Sequence, residues 1–404
     1  MDFYLQMGHG MKAMTLELIN KWGGGTAILS PRHMTLEQMK KASSEIHSTG
    51  GKVLLDPQFY FPRTSDGKLK RHAFWPDSFS TFSFFNGGGI DTLIDCLIDD
   101  YFSDLNLDSF IIPSLLCKEA DNDWDAVNQI IINSVARRKN DIDTKKYFTL
   151  CLEEKLIRDE QKVHDLIDTV SGYDVDGFYI IPEHPDNKYL VDDVQWLTNL
   201  LDLTAGLKLT NKEVIVGYSS HQMLLLSLAK IDGICAGSWL KTRIFPTADF
   251  DEKSRDNEIA RKSTWYYCPQ ALSEYQIPFL TIAYQNGSLD ALKPAPQHES
   301  GFSKVLFQGA SPDTVKFPER SAFQHYLASL KKQCEEINFD EYQKAKTWLK
   351  LQFETANDLS SYFRSQGIRG KAREFSNVAE DTLASIDAFD SRRGINYQLQ
   401  WSKI

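Results

Sequence analysis

Residues 213–243 read EVIVGYSSHQMLLLSLAKIDGICAGSWLKTR. Two short apolar runs, Glu213–Val216 and Gly233–Ala236, each stop abruptly at polar residues, with a longer segment between them. Runs that are apolar throughout, rather than alternating, are the pattern of strands buried on both faces, which means a parallel sheet. Parallel strands cannot be joined by a tight hairpin, so the segment between them reads as a crossover.

The same unit recurs outward along the chain. Six further runs share its character: Phe3–Met7, Thr26–Leu29, Lys52–Leu55, Ser109–Ile112, Tyr147–Leu152 and Gly177–Ile181. Between them lie amphipathic patterns. Thr35–His47 sets Leu36, Met39 and Ile46 on one side and Glu37, Lys40 and Lys41 on the other, and Gly50-Gly51 ends it. Ala126–Arg138 and Asp159–Val170 read as helical crossovers in the same way. Eight βα units over about 240 residues predict an α/β fold of the (β/α)8 TIM-barrel type, and no GxGxxG turn argues for a dinucleotide fold.

The predicted barrel covers residues 1–250 and carries a long, aromatic-rich loop at 57–105, with HAFWPDSFSTFSFFNGGG at His72–Gly89. Such a loop is either a lid at the carboxyl-terminal face or a small core packed on itself. A connecting region, 251–320, contains the apolar run Phe279–Ala283. From 321 to 404 the pattern becomes helical, with Phe323, Tyr326, Leu327 and Leu330 followed by Tyr342, Trp348, Leu349, Leu351 and Phe353. This predicts a C-terminal helical subdomain.

With 404 residues the chain is too long for a disulfide-stapled miniprotein. No run approaches the roughly 18 apolar residues of a membrane span, and MDFYLQMGHG lacks the order of a signal peptide, so a cytoplasmic protein with no membrane partner is expected. Six scattered cysteines without a CxxC pair suggest reduced thiols. The net charge of -10 is uneven. From Arg320 onward there are 13 Lys+Arg against 11 Asp+Glu, leaving 32 against 44 in the body. Within the tail, Arg364, Arg369, Lys371 and Arg373 cluster in RSQGIRGKAR with no acid between them. Such a cluster is either a solvated helix end or a nucleic-acid-binding patch for phosphates.

Barrel chemistry sits just after the strands. There the sequence places Met7-Gly8-His9-Gly10, Ser30-Pro31-Arg32-His33, Asp56-Pro57-Gln58, Pro113-Ser114, Glu153-Glu154-Lys155, Pro182-Glu183-His184, Tyr218-Ser219-Ser220-His221-Gln222, and Ser238-Trp239 with Lys241-Thr242-Arg243. Acids, bases and anion donors on one rim make Asp56, Glu183 and His221 the candidate catalytic residues. His9, Arg32, His33, Gln58, His184, Ser219, Trp239 and Arg243 are the candidate substrate-binding residues. Asp56 stands out because the run Val53–Leu55 delivers it and Pro57 stops regular pairing behind it. The alternative for Asp56 is a cap on the following loop. His9 lacks the HxH partner of divalent-metal barrel hydrolases, so no metal set is assigned, and no cofactor is implied.

The order of these elements resembles the tRNA-guanine transglycosylase superfamily, including its DNA-acting 7-deazapurine relatives. The likeness runs over about Asp2–Arg243 and is carried by FYLQMGHGMKAMTLELINKWGGGTAILSPRHMT, by GGKVLLDPQFYF and by VIVGYSSHQMLLLSLAKIDGICAGSWLKTR. It implies a barrel that exchanges a base through a covalent pentose intermediate on tRNA or DNA, with Asp56 on the family's carboxylate after the third strand. The sequence departs from the family elsewhere. The nucleophile position falls on Cys235 or Gly237 depending on the anchor, Pro113-Ser114 replaces the base-recognising Asp, and Pro182-Glu183 replaces a glycine pair. The zinc-binding CxCxxC segment is absent, with Cys268 alone.

Three functions are therefore open: base or N-glycosidic chemistry on a nucleotide or nucleic acid, a non-catalytic nucleic-acid-binding subunit of a DNA-modification or defence complex with protein partners on the C-terminal helices, or a small-molecule barrel hydrolase.

Overall fold

A computed structural model describes residues 1–63, 67–245, 247–250 and 263–404. Residues 251–262, the start of the expected connecting region, lie outside the described residues. The first half of the chain runs β1 (Asp2–Gln6), α1 (Lys12–Trp22), β2 (Gly25–Leu29), α2 (Leu36–Ser48) and β3 (Gly51–Leu55). The long connection that follows holds α3 (Thr81–Asn86), α4 (Gly89–Cys96), a π-helical turn Leu97–Phe102 and α5 (Ser103–Leu105). Then come β4 (Phe110–Ile112), α6 (Asn122–Arg137), β5 (Lys146–Leu152), α7 (Glu154–Arg158), α8 (Glu160–Ser171), β6 (Gly177–Pro182), α9 (Val194–Lys208), β7 (Glu213–Val216) and β8 (Gly233–Ala236).

All eight strands are parallel, in the order β3-β2-β1-β8-β7-β6-β5-β4. Pairing of β1 with β8, Tyr4 opposite Cys235, joins the first strand to the last. The seam between β3 and β4 is closed at its lower end by Asp108, whose amide donates to Val53 O at 2.9 Å and whose carboxylate accepts from Val53 N at 2.7 Å. The chain is thus a nearly closed (β/α)8 barrel, and all eight expected runs are strands within a residue or so of their expected ends.

Local chemistry sets the crossovers. Thr35 and Gln38 exchange side-chain and backbone hydrogen bonds in a capping box that starts α2. Asp121, Asp159 and Asp193 cap α6, α8 and α9 by accepting from the amides of Trp124, Lys162 and Trp196. Between β7 and β8 the crossover is 3-10 rather than α-helical, His221–Ala229, and wholly buried. The aromatic insertion joins the barrel's core rather than forming a satellite one: Phe74, Trp75, Phe84 and Phe85 are buried in it, with Trp75 and Phe84 on Phe59, although Phe82 remains 78% exposed.

Beyond β8 an antiparallel hairpin appears that the apolar periodicity did not announce, β9 (Trp265–Cys268) with β10 (Ser273–Gln276). The run Phe279–Ala283 lies in a helix, α10 (Ile277–Gln285). Three helices complete the chain: α11 (Glu319–Glu336), α12 (Tyr342–Ser365) and α13 (Ala379–Gln400). They share the barrel's core rather than forming one of their own; a smaller cluster surrounds the hairpin, α10, Phe363 and Ile368. α9 is buried nearly all round because α13 covers it, with Arg393 paired to Asp202 and the Tyr397 hydroxyl donating to Ala205 O. No helix among the described residues is long and apolar enough to cross a membrane.

Candidate functional site

The strands alternate side chains inward and outward, so Gln6, Asp56 and Tyr179 enter the barrel near its carboxyl-terminal end. Asp56 is fully buried. Its Oδ1 accepts from the Gln58 amide at 3.0 Å, and both carboxylate oxygens accept from the Tyr60 hydroxyl. Tyr179 Oη lies 2.9 Å from Gln6 Oε1 and 3.4 Å from Asp56 Oδ2. Burial pushes the Asp56 carboxyl up to about 6, against the hydrogen bonds from Tyr60 and Gln58 that favour its ionised form. The Gln6 side chain is buried too, its Oε1 tied by Tyr179 and its Nε2 with no partner among the described residues. An unpaired buried amide donor costs about 1–3 kcal/mol, which marks this spot as one not built for stability alone.

Two strained residues frame the entrance. Gln58, after β3, and Tyr218, after β7, both have left-handed backbones with φ of 56° and 51°. The first donates through Nε2 to the hydroxyl of the second at 3.0 Å. Gln58 Oε1 also accepts from Ser30 Oγ at 3.0 Å and from the Arg32 amide at 3.1 Å. Non-glycine residues in this region cost about 1–3 kcal/mol each and persist where surrounding contacts hold them. A cleft of about 40 Å³ opens here, lined by Gln58, Tyr218, Ser30, Arg32, His33 and Lys241 among others. Phe245 and Phe250 pack edge-on against Tyr60, and Phe250 also lies 4.9 Å from the Arg32 guanidinium, so the mouth above Asp56 is nearly shut.

The structure gathers only part of the expected set around Asp56. Gln58, Arg32 and His33 belong to the cleft, and exposed His9 sits beside His33 with ring centroids 6.5 Å apart. Trp239 leans over the same side, donating from Nε1 to His9 O at 3.1 Å and packing on Phe323. Glu183 stands at the end of β6, accepting from the Glu154 amide at 3.0 Å and from the Thr247 hydroxyl. Ser219 is buried and spent on Val216 O at 2.9 Å.

The other three lie away from the cleft, His184 in one buried setting and His221 with Arg243 in another, where both contact Tyr189 and Tyr326. His184 bonds Lys188 O and packs on Trp196, and burial lowers its pKa to about 4. His221, likewise lowered to about 4 by burial, packs between Tyr189, Tyr267 and Tyr326. Arg243 reaches Gly237 O, Ser238 O and Glu274, with its guanidinium 3.3 Å over the Tyr326 ring. Tertiary packing, not proximity to the strand ends, decides these three.

The basic tail turns inward as well. Arg364 binds Glu374, Ser376 and Asn377, and Arg373 binds buried Glu274 at 2.9 Å while lying 4.1 Å over the Trp265 ring. Lys371 approaches Gln276, and Arg369 is exposed. Sequence reasoning missed Gln6, Tyr60 and Tyr179, and it placed Tyr218 after β7 without a role. A polar Gln6 in an otherwise apolar run was the available signal for one of them. No group of three or more His, Cys, Asp or Glu side chains placed to hold a metal ion occurs among the described residues.

Fold and site together define a (β/α)8-barrel protein with a carboxyl–tyrosine cluster inside its carboxyl-terminal mouth. No protein-family model matches the chain, and no curated protein matches it. Among solved structures it is similar to the 3-dehydroquinate dehydratase from Aquifex aeolicus VF5, at 11% identity and a TM-score of 0.36, over 64% of this chain and 99% of that one. A likeness so distant carries nothing about chemistry.

Proposed function

We propose that this barrel acts on the N-glycosidic bond or the base of a nucleotide or nucleic acid, as its resemblance to the transglycosylase superfamily implies, with Asp56 as the working carboxyl. The observation that carries this reading is the cluster itself: a buried carboxyl with a pKa of about 6, beside tyrosine hydroxyls and an amide donor left without a partner. Base edges present fixed donors and acceptors, and a carboxyl with an amide is a combination that reads such edges. Near pH 6 both protonation states of Asp56 are populated. Protonated, it can supply a proton to a ring nitrogen of a departing base; ionised, it stabilises the oxocarbenium-like sugar. The bond from the sugar C1′ to the base nitrogen breaks, and water or an incoming base takes its place on C1′. Because the cleft holds only about 40 Å³, a base reaches Asp56 only after Phe245 and Phe250 leave the mouth. The tail cluster gives the non-catalytic reading less support, since Arg364 and Arg373 are engaged by Glu374 and Glu274.

The test incubates the full chain with nucleosides, a tRNA pool and duplex DNA in the presence of isotope-labelled purine bases, and follows release and incorporation by mass spectrometry. The expected result is release or exchange with the wild-type protein, reduced at least 100-fold in Asp56→Asn, in line with the roughly 10²–10⁴ that a positioned acid–base group contributes. Activity that survives in Asp56→Asn, or none with any of the substrates, overturns the proposal.

A further inference from the structure

A cavity much larger than the cleft above Asp56 lies at the opposite end of the barrel. It encloses about 740 Å³ at the amino-terminal mouth of the strands, within the roughly 300–1,000 Å³ of small-molecule sites, whereas the cleft above Asp56 has about 40 Å³. We propose that this mouth is a second ligand site and that it takes a neutral saccharide.

Its aromatic walls come from the barrel itself. Tyr4 and Tyr147, near the starts of β1 and β5, line the cavity, and the Tyr147 hydroxyl donates to Glu213. Each lies over a glycine on the next strand: a Cβ on Gly177 would meet the Tyr147 ring at 2.8 Å, and one on Gly233 would run into the Tyr4 ring. Trp401, from the end of the chain, lines the same cavity.

The lining carries charges of both signs. Lys145 pairs with Glu213 at 2.6 Å, and Lys208 pairs with Asp232 at 2.9 Å. Lys52 and Asp143 also line the cavity, and neither side chain has a hydrogen bond or ion pair within the described residues. The Tyr4 hydroxyl is in the same condition. A polyanion entering here meets Glu213 and Asp232, and a polycation meets the lysines; either juxtaposition costs energy. A hydroxyl both donates and accepts, so it satisfies a lysine and a carboxylate at once. A ligand whose edge is a row of hydroxyls and whose faces are C–H surfaces suits this mixture of lysines, carboxylates and rings.

Saturation-transfer NMR on the full chain with millimolar maltose or glucose tests this, with inorganic phosphate and spermidine as separate arms. Transfer to sugar ring protons is expected, reduced at least fivefold in Lys52→Met and in Thr26→Phe, which fills the floor, and retained in Asp56→Asn. Lys52 is exposed, so Lys52→Met keeps the test valid where Thr26→Phe fails to fold. Absence of transfer to both sugars, transfer that Lys52→Met leaves unchanged, or binding of phosphate or spermidine in place of sugar overturns the proposal. Because the Asp56 site is at the other end of the barrel, failure here leaves the glycosidic reading standing, and the converse also holds.

Discussion

At the scale of a single residue, Asp56 is held in a state that stability alone does not favour. Its folded pKa of about 6 exceeds the ordinary carboxylate value, so between about pH 4 and pH 6 the folded protein binds more protons than the unfolded chain, and this group's contribution to stability falls as pH rises. A shift of about two units corresponds to about 3 kcal/mol. Asp56→Asn removes that penalty. Denaturant titrations across pH 4–8 are expected to show the variant gaining on the wild type up to about pH 6–7, with a constant gap above that. A gap that is flat from pH 4 to pH 8 contradicts the assigned burial of charge. The same titration predicts that any activity carried by Asp56 changes slope near pH 6, measured as kcat/KM against pH.

At the scale of the strand, the site depends on one small residue on a neighbour. Tyr179 on β6 reaches Asp56 and Gln6 because Gly217, just after β7, leaves room for its ring; a Cβ there would lie 2.7 Å from the hydroxyl. Gly217→Ala is therefore expected to displace Tyr179, cost about 1–3 kcal/mol by overpacking, and lower activity more than that loss of stability explains. Thermal unfolding and turnover measured on the same preparation separate the two effects. The strand pattern itself was readable, since runs such as Gly177–Ile181 are apolar throughout and only a barrel or a doubly covered sheet buries both faces. The hairpin of β9 and β10 was not readable. Tyr266, Tyr267 and Tyr275 are buried there by α11 and α12, contacts distant in sequence that no local period encodes.

At the scale of the whole molecule, Glu274 joins the parts. Burial works against its charge, yet Arg373 and Arg243 hold the carboxyl below its ordinary value, one from the tail and one from the barrel. A depressed pKa means that this stabilisation is present above the ordinary carboxylate range and is lost as pH falls through it. Glu274→Ala leaves the buried Arg243 and the half-buried Arg373 without their carboxylate and is expected to cost about 3–5 kcal/mol, read as a lowered Tm, with the acid-side loss of stability flattened relative to wild type. Since barrel and helices share one core, wild-type unfolding is expected to be a single transition by calorimetry. Two separated transitions would show that the C-terminal helices fold as their own unit.

The sequence by itself determined the eight strands, their parallel sense and the delivery of Asp56 to the mouth of the barrel, because these follow from local hydrophobic period and from where each run stops. Only the tertiary structure decided which polar residues meet. His184, His221 and Arg243 stand beyond strand ends as Asp56 does, yet packing sets His184 against Trp196 and gathers His221 and Arg243 into one buried cluster with Tyr189, Tyr326 and Glu274. Arg373 looks free in sequence because its partner, Glu274, comes from 99 residues away, while Arg364 is taken up by Glu374, Ser376 and Asn377 just beyond the cluster. Charge and polarity are local properties of a sequence; which charge is matched, and which is left to face a ligand, depends on contacts that form only when the chain closes on itself.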